Sequence, residues 1–261
     1  MPILYNFAEN YYMDTIENIF NHRTIRKYKN TPISDDVLNT ILEAASRAST
    51  TGNMQVYSII VTKEEERKTR LWELHFKQNM VLQAPVVLTF CADFNRFNTW
   101  CKLRKAEPGY DNYLSFFTAA IDALLAAQNA AIAAEHFGLG VCYLGTTTYM
   151  CDKIIELLEC PQGVVPITTL VIGYPDESPE LTDRLPLKAI IHEETYSPYT
   201  SAQIDEYYKA KEELPLTKKL LEENQLETLA QIFTQKRYSK KDNEYFSETF
   251  LEAIRKQGFL K

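Results

Sequence analysis

A chain of 261 residues has room for one large domain or two small ones, and 45% hydrophobic with 24% charged residues is a globular balance, not a disordered one. A formal net charge of −7 argues against a general nucleic-acid binder, which needs a basic surface to neutralise phosphate, though a small basic pocket stays open. The five cysteines (Cys91, Cys101, Cys142, Cys151, Cys160) contain no C-x-x-C and the four histidines no H-E-x-x-H, a pattern of reduced thiols in a cytosolic protein with no metal site.

The first twenty residues carry acidic groups and no basic n-region, so a signal peptide is not expected. A short helix is expected over 12–21. Thr31-Pro32-Ile33-Ser34 breaks the chain, Ser34 is a candidate N-cap, and Asp35 and Asp36 place negative charge in the first turn of the next helix. Val37, Leu38, Ile41, Leu42 and Ala45 give that helix an apolar face. VYSIIVT (56–62) reads as a strand, EEERKTRLWELHFKQNM (64–80) as one helix, and VVLTFCA (86–92) as a strand buried on both faces. Residues 95–112 read as a surface excursion.

The stretch 113–137 is alanine-rich and apolar nearly all round, which suits the core of a large domain or a subunit interface. Asp122, Gln128, Asn129 and Glu135 interrupt it, so no stretch is expected to reach the uncharged length of a membrane span. GVCYLGT (140–146) is a strand or strand-loop, CDKIIELLEC a helix ended by Pro161, and TTLVIGYP (168–175) a buried strand. A proline-punctuated loop follows. Charged helical stretches at about 202–213, 217–235 and 243–257 look like an arm packed on a core. The expected division is a core over 1–200 and an arm over 201–261, in an α+β or α/β chain.

GLGVCYLG (138–145) is not G-x-G-x-x-G and follows a helix, so a dinucleotide fingerprint is not expected. Neither a Walker A motif nor a G-x-S-x-G elbow occurs. Arg23 and Arg26 in HRTIRKY are either two solvated charges near a helix end or a phosphate grip, since guanidinium groups recognise phosphate through paired donors. The Ser-Thr-Thr-Gly-Asn run at 49–53 is either a helix C-cap and loop, with Gly52 and Asn53 left-handed, or a polar cradle.

Taken together, HRTIRKY, ST-TGNMQ before a strand, CADFNR, AAIAAEHFGLGVCYLG and VIGYPDESPELTDRLP resemble the FMN-dependent nitroreductase family, closest to its NADPH-preferring oxygen-insensitive nitroreductase and flavin reductase branch. The resemblance runs in order from His22 to Tyr199. It implies an α+β homodimer with a mixed sheet flanked by helices, the long apolar helix at the dimer core, the C-terminal arm wrapping the partner, and FMN at the subunit interface. By the same resemblance His22, Arg23, Thr24 and Arg26 line the FMN, with Arg23 at the phosphate and Arg26 near N1 and O2 of the ring. Thr50, Thr51 and Asn53 reach the cofactor from the neighbouring subunit. Gln78 pairs with the pyrimidine edge, the loop Tyr143-Leu144-Gly145-Thr146 donates towards N5, and Arg184 is a second phosphate arginine. Thr182 stands where that branch often carries a lysine, and Gly145-Thr146 where it carries a glycine pair.

A fixed cation near N1 suits a cofactor that gains negative charge there on reduction, and hydride transfer through a flavin needs no protein acid or base. The implied activity is an NAD(P)H-dependent two-electron, ping-pong reduction of nitroaromatics, quinones or flavins, in a cytoplasmic enzyme with a small aromatic acceptor. No nucleic acid or membrane partner is implied, and no catalytic side chain. A dedicated flavin reductase or a reductive dehalogenase on the same scaffold is the alternative. A non-enzymatic helical interaction protein is another. The basic stretch Lys236 to Lys241 is either a nucleotide-phosphate contact or a solvated helix start.

Overall fold

The structure, a computed structural model, describes residues 14–260. The chain forms two compact units, one of residues up to Glu180 together with Phe246 onwards, the other Leu181–Tyr245.

The first unit is built on a four-stranded sheet of β1 (Tyr57–Thr62), β2 (Val86–Asp93), β3 (Gly140–Leu144) and β4 (Val164–Gly173) in the order β1-β2-β4-β3. Every strand pair is antiparallel, so the expectation of a mixed sheet is corrected. Parallel pairing among the described residues is confined to the bridge from Thr24 to Val141. β2 is buried along its whole length, as its unbroken apolar run requires. β4 begins at Val164, four residues ahead of the expected start, because Val164 and Val165 pair with Asp93 and Ala92.

The helices of this unit are α1 (Thr15–Phe20), α2 (Asp35–Ser46), α3 (Glu65–Leu74), α4 (Met80–Gln83), α5 (Asn95–Leu103), α6 (Tyr113–His136), α7 (Thr146–Tyr149) and α8 (Cys151–Leu157). Residues 12 and 13 of the expected first helix lie outside the described residues. Ser34 does cap α2, its hydroxyl accepting from Val37 N–H at 3.3 Å. Leu38, Ile41 and Ala45 turn α2 into the core formed with α6, Leu88, Phe90 and Leu170. Fully burying side chains of this size contributes about 1.5–3 kcal/mol each.

Two segments depart from the sequence reading. The single helix expected over 64–80 is broken between Leu74 and Met80, where Phe76 and Lys77 take φ of 55° and 56°. The break turns His75 and Gln78 inward. Residues 95–112 include α5, whose Asn and Thr residues are poor helix formers. Tertiary packing supplies what propensity does not: Phe94 stacks on Tyr110 at 5.0 Å, and Phe97 meets both rings. The helix expected to run to Pro161 ends earlier, at Leu157, with Glu159 left-handed at φ 54°.

The segment 22–28 docks on the open edge of β3 and on the end of β4. Ile25 N–H donates to Val141 O at 2.9 Å, and Lys29 N–H to Tyr174 O at 2.9 Å. Two glycines permit this approach. A Cβ on Gly140 would stand 2.6 Å from the Ile25 side chain, and one on Gly173 2.8 Å from the Tyr28 ring.

By length and hydropathy alone α6 meets the measure of a membrane span, though Asp122 and Glu135 interrupt it as expected and half of that window is buried within the fold. It packs on α2 and across the sheet through its alanines.

The second unit holds α9 (Ser201–Glu212), α10 (Pro215–Asn224) and α11 (Leu229–Gln231), the last continuing into a wide turn over Ile232–Arg237; α12 (Lys240–Lys256) begins here and ends in the first unit. Capping boxes start α9 (Thr200 with Gln203) and α11 (Thr228 with Gln231). The helix expected over 217–235 is interrupted because Gln225 is left-handed and closes α10.

Candidate functional site

Helix α6 is the ruler on which the expected residues are set out. His22 Nδ1 lies 2.6 Å from Glu135 Oε1 near its C-terminal end. One residue further, the Arg23 guanidinium is partly enclosed, and its buried Nε has no partner. Arg23 lines a cleft of about 220 Å3 with Asn18, Glu135, Gly140 and Glu177. Arg26 is exposed. Glu177 accepts the backbone N–H groups of Arg26 at 2.5 Å and Lys27 at 3.1 Å, which fixes the turn that presents this arginine.

Two residues along β3 from the Thr24 bridge, Tyr143 donates from its hydroxyl to Gln128 Oε1 at 3.4 Å. Gly145 ends the strand, and a Cβ there would meet nothing within 4 Å, so its backbone borders open space. Thr146 starts α7 and gathers two side chains from the break after α3. His75 Nδ1 is 2.7 Å from Thr146 Oγ1, and Gln78 Nε2 donates to the same oxygen at 3.4 Å. His75 is fully buried, and burial lowers its pKa to about 4, so it is a neutral imidazole. Its Nε2 has no partner. An unpaired lone pair costs less to bury than an unpaired N–H. The proton therefore sits on Nδ1 and is given to Thr146, leaving the threonine hydroxyl free to donate elsewhere.

The residues at 50–53 lie apart from these. Thr51 gives its N–H to Asp122 Oδ1 at 3.0 Å and its hydroxyl to the same oxygen at 3.2 Å. Thr50 Oγ1 accepts from Gln55 N–H at 2.8 Å, and Asn53 Oδ1 from Gln55 Nε2 at 3.2 Å. Gly52 and Asn53 are both left-handed, as the cap-and-loop reading requires. Gln128 and Glu135 are two turns apart on one side of α6, whereas Asp122 points about 120° away, and the three attachment points spread over roughly 20 Å. Within one chain, then, His22 to Arg26, Gln78 and Tyr143 to Thr146 line one edge of the sheet, and Thr50, Thr51 and Asn53 sit elsewhere. Arg184 belongs to the second unit, where its Nη1 donates to Thr182 Oγ1 at 2.6 Å. Among the described residues no group of three or more His, Cys, Asp or Glu is placed to hold a metal ion.

The profile of the Nitroreductase family matches residues 19–174, the stretch that carries this edge and the helix behind it. The chain belongs to the nitroreductase family. An "FMN reductase (NADPH)" of Bacillus subtilis is 37% identical over 186 residues, covering 70% of this chain and 75% of that protein. An "Oxygen-insensitive NADPH nitroreductase" of Salmonella typhimurium is 33% identical over 204 residues, 78% of this chain and 83% of that one. A crystal structure from Bacteroides fragilis superimposes with a TM-score of 0.92 at 54% identity, covering 94% of this chain and 99% of its own.

In this nitroreductase the sequence reading missed four groups that organise the site: Asp122, Glu135, His75 and Glu177. A signal did exist for the first two. The polar interruptions of the apolar stretch 113–137 are all docking points, since Asn129 Nδ2 also donates to Ala44 O at 3.2 Å. Nothing marked His75, which reads as part of a charged helix until the backbone breaks after it. An aromatic group was also unforeseen. Tyr149 stacks on Phe246 at 4.4 Å, with Phe76 6.3 Å from Tyr149, at the end of α7 beside the His75–Thr146 pair.

Proposed function

We propose that this nitroreductase binds FMN along the edge formed by residues 22–26, 75–78 and 143–146, takes electrons from NAD(P)H, and reduces nitroaromatics, quinones or free flavin. The orphaned Arg23 Nε carries the reading. A buried guanidinium donor without a partner costs free energy unless an anion meets it, and a flavin phosphate is such an anion. The donor set suits the rest of FMN. Arg26 brings a free cation beside the pyrimidine end, Gln78 an amide for its edge, Thr146 a spare hydroxyl, and Gly145 a bare backbone that a flat ring can approach.

When bound, FMN would supply the hydride chemistry between NAD(P)H and the acceptor. The residues of this chain bind and orient. Arg23 would hold the phosphate, Arg26 would favour negative charge on the ring, and His75 would aim the Thr146 hydroxyl by taking up its acceptor side. None of these roles requires a side chain to give or take a proton in the hydride step, and donor and acceptor would use one pocket in turn.

The same reading makes the enzyme a homodimer. Leu114, Phe117, Ile121, Leu124 and Leu125 form an outward apolar stripe on α6, with Leu114 73% exposed. A stripe of this kind calls for a partner surface. A second copy fits it, because Thr50, Thr51 and Asn53 are too far around α6 to serve their own chain's site. The arm that embraces the other subunit would then lie in residues 201–245, since Phe246 onwards belongs to the first unit. The five free thiols suit a cytoplasmic protein.

The purified protein should be yellow and bleach with NADPH. Arg23→Ala should weaken FMN retention about 100-fold, the value of one or two charge-assisted hydrogen bonds. Unchanged FMN affinity would remove the phosphate-grip assignment. The relative named as an FMN reductase favours a second reading, in which free flavin is the main acceptor. Steady-state rates with NADH and NADPH against nitrofurans, quinones and riboflavin phosphate separate the two.

A further inference from the structure

A cleft of about 240 Å3 opens in the first unit between α5, the residues leading into α6 and the turn after α12, and none of the residues assigned to FMN lines it. Its frame is tied together by hydrogen bonds. Asn95 Nδ2 donates to Gln162 O at 2.9 Å, Gln162 Nε2 to Lys256 O at 2.8 Å, and Gly163 N–H to Gln257 O at 3.1 Å. Gly163 is left-handed at φ 80°, and a Cβ there would stand 3.3 Å from Asn95 N, so the close meeting of these walls depends on glycine.

Two primary amides in this frame are left unsatisfied. Gln257 is 7% exposed, and its Oε1 is buried without a partner. Asn98, one turn into α5, carries a buried Oδ1 in the same condition. Both residues line the cleft. Each orphaned carbonyl costs free energy that a hydrogen-bond donor would recover. Rotation about the last side-chain bond exchanges the O and N ends of an amide, so each can turn a donor beside an acceptor to the cleft. The fold keeps two amides that its own hydrogen bonds leave incomplete, which points to a ligand that completes them.

The other lining groups narrow its chemistry. Tyr110 is stacked on Phe94 at 5.0 Å and met edge-on by Phe97 at 5.5 Å, so its ring is a fixed flat wall. Lys102 stands exposed at the rim, and Asp111 adds a carboxylate of the kind that accepts ribose hydroxyls. Amides that need a mixed donor and acceptor edge, an aromatic wall and a cation are the parts of nucleotide recognition. The volume lies below the about 300–1,000 Å3 of drug-sized pockets, which suits a base with its ribose and not a dinucleotide.

We propose that this cleft binds an adenine mononucleotide, with the Gln257 and Asn98 amides on the edges of the base, Tyr110 against its face and Lys102 at the phosphate. Adenine sets an amine donor beside a ring-nitrogen acceptor, the complement of a primary amide. Guanine sets two acceptors there instead.

The test titrates AMP calorimetrically into full-length protein kept in excess FMN. AMP should bind saturably, and GMP at least about tenfold more weakly. Lys102→Ala changes only the exposed rim and should weaken AMP about tenfold, the value of one charge-assisted hydrogen bond. Gln257→Leu removes a buried unpaired carbonyl, so it should abolish AMP binding while leaving the melting temperature unchanged or higher. Asn98→Ala, at a half-buried position, should weaken AMP as well. No AMP binding at millimolar concentration, equal binding of AMP and GMP, or AMP binding that survives both amide substitutions would overturn the proposal. AMP that binds only when FMN is left out occupies the flavin site and overturns it equally. The readout is binding and needs no turnover, so it fails or succeeds independently of the flavin assignment.

Discussion

The two faces of α6 differ in size far more than in polarity. Towards the sheet stand Ala119, Ala123, Ala126, Ala127, Ala130 and Ala134, each without exposed surface. Outward stand Leu114, Phe117, Ile121, Leu124 and Leu125, each exposed by two fifths or more. A helix that only served its own core would reverse this, placing the large side chains inside. Small residues let the α6 backbone lie close on β2, and the large apolar area is kept for something else. Gln128 and Glu135, which hold Tyr143 and His22, lie on the same side of α6 as the large residues, so the face that carries the site's attachments is also the one open to a second copy.

The largest expected effect breaks the outer face. Ile121→Asp with Leu124→Asp places two charges in the proposed subunit interface, where each unpaired buried charge costs several kcal/mol. Sedimentation should find a monomer with FMN lost, because Thr50, Thr51 and Asn53 of a second copy no longer reach the site, and the melting temperature should fall with them. A double mutant that stays dimeric and yellow would show that the stripe is covered by something other than a second subunit.

A second test concerns burial without a charged partner. Burial lowers the His75 pKa from 6.5 to about 4. A depressed folded pKa means that the unfolded chain takes up the proton first. Stability from this group is therefore complete above about pH 6.5 and is lost as pH falls towards 4, by roughly 3 kcal/mol. Denaturant titrations between these limits should show the slope, and His75→Gln should flatten it. An unchanged slope in that variant would mean that other groups cause the acid sensitivity.

The inner face gives the next effect. Ala127→Leu adds volume where α6 meets the sheet and should cost about 1–3 kcal/mol by overpacking, with the protein still dimeric. Leucine placed outward at the half-buried Thr118, Thr118→Leu, should cost less. Equal losses at the two positions would erase the distinction between the faces.

Much of this was legible in the chain. The Ser34 cap, the buried β2 run and the extent of α6 follow from local chemistry, and the order of motifs marked the family. The direction of α6 was not legible, because a helix apolar all round has no periodicity to show which side is in. Nor was the break after Leu74. Phe76 and Lys77 adopt left-handed backbone that their side chains do not favour, so packing and the His75–Thr146 contact impose it. Helix α5 was hidden for a related reason, since the rings that hold it, Phe94 and Tyr110, lie outside the helix itself. Arg23 and Arg26 were visible as a pair, but which of them is enclosed depends on Gly140 and Ile25.

The smallest effect tests whether a polar interruption on α6 is an attachment or an ornament. Asn129 lies at the border of the two faces and donates to Ala44 O in the last turn of α2. That carbonyl also accepts from Arg47 N–H at 3.1 Å, so removing the amide leaves it with one partner, not none. Asn129→Ala should therefore cost only about 1 kcal/mol, the net value of one neutral hydrogen bond. Asp122 holds the 50–53 loop about two turns away on α6, near the distance at which effects become independent. The Asn129→Ala and Asp122→Asn losses should then add in the double mutant. Strong coupling would mean that α6 shifts as a rigid rod when one attachment fails, and that the two faces are not set independently.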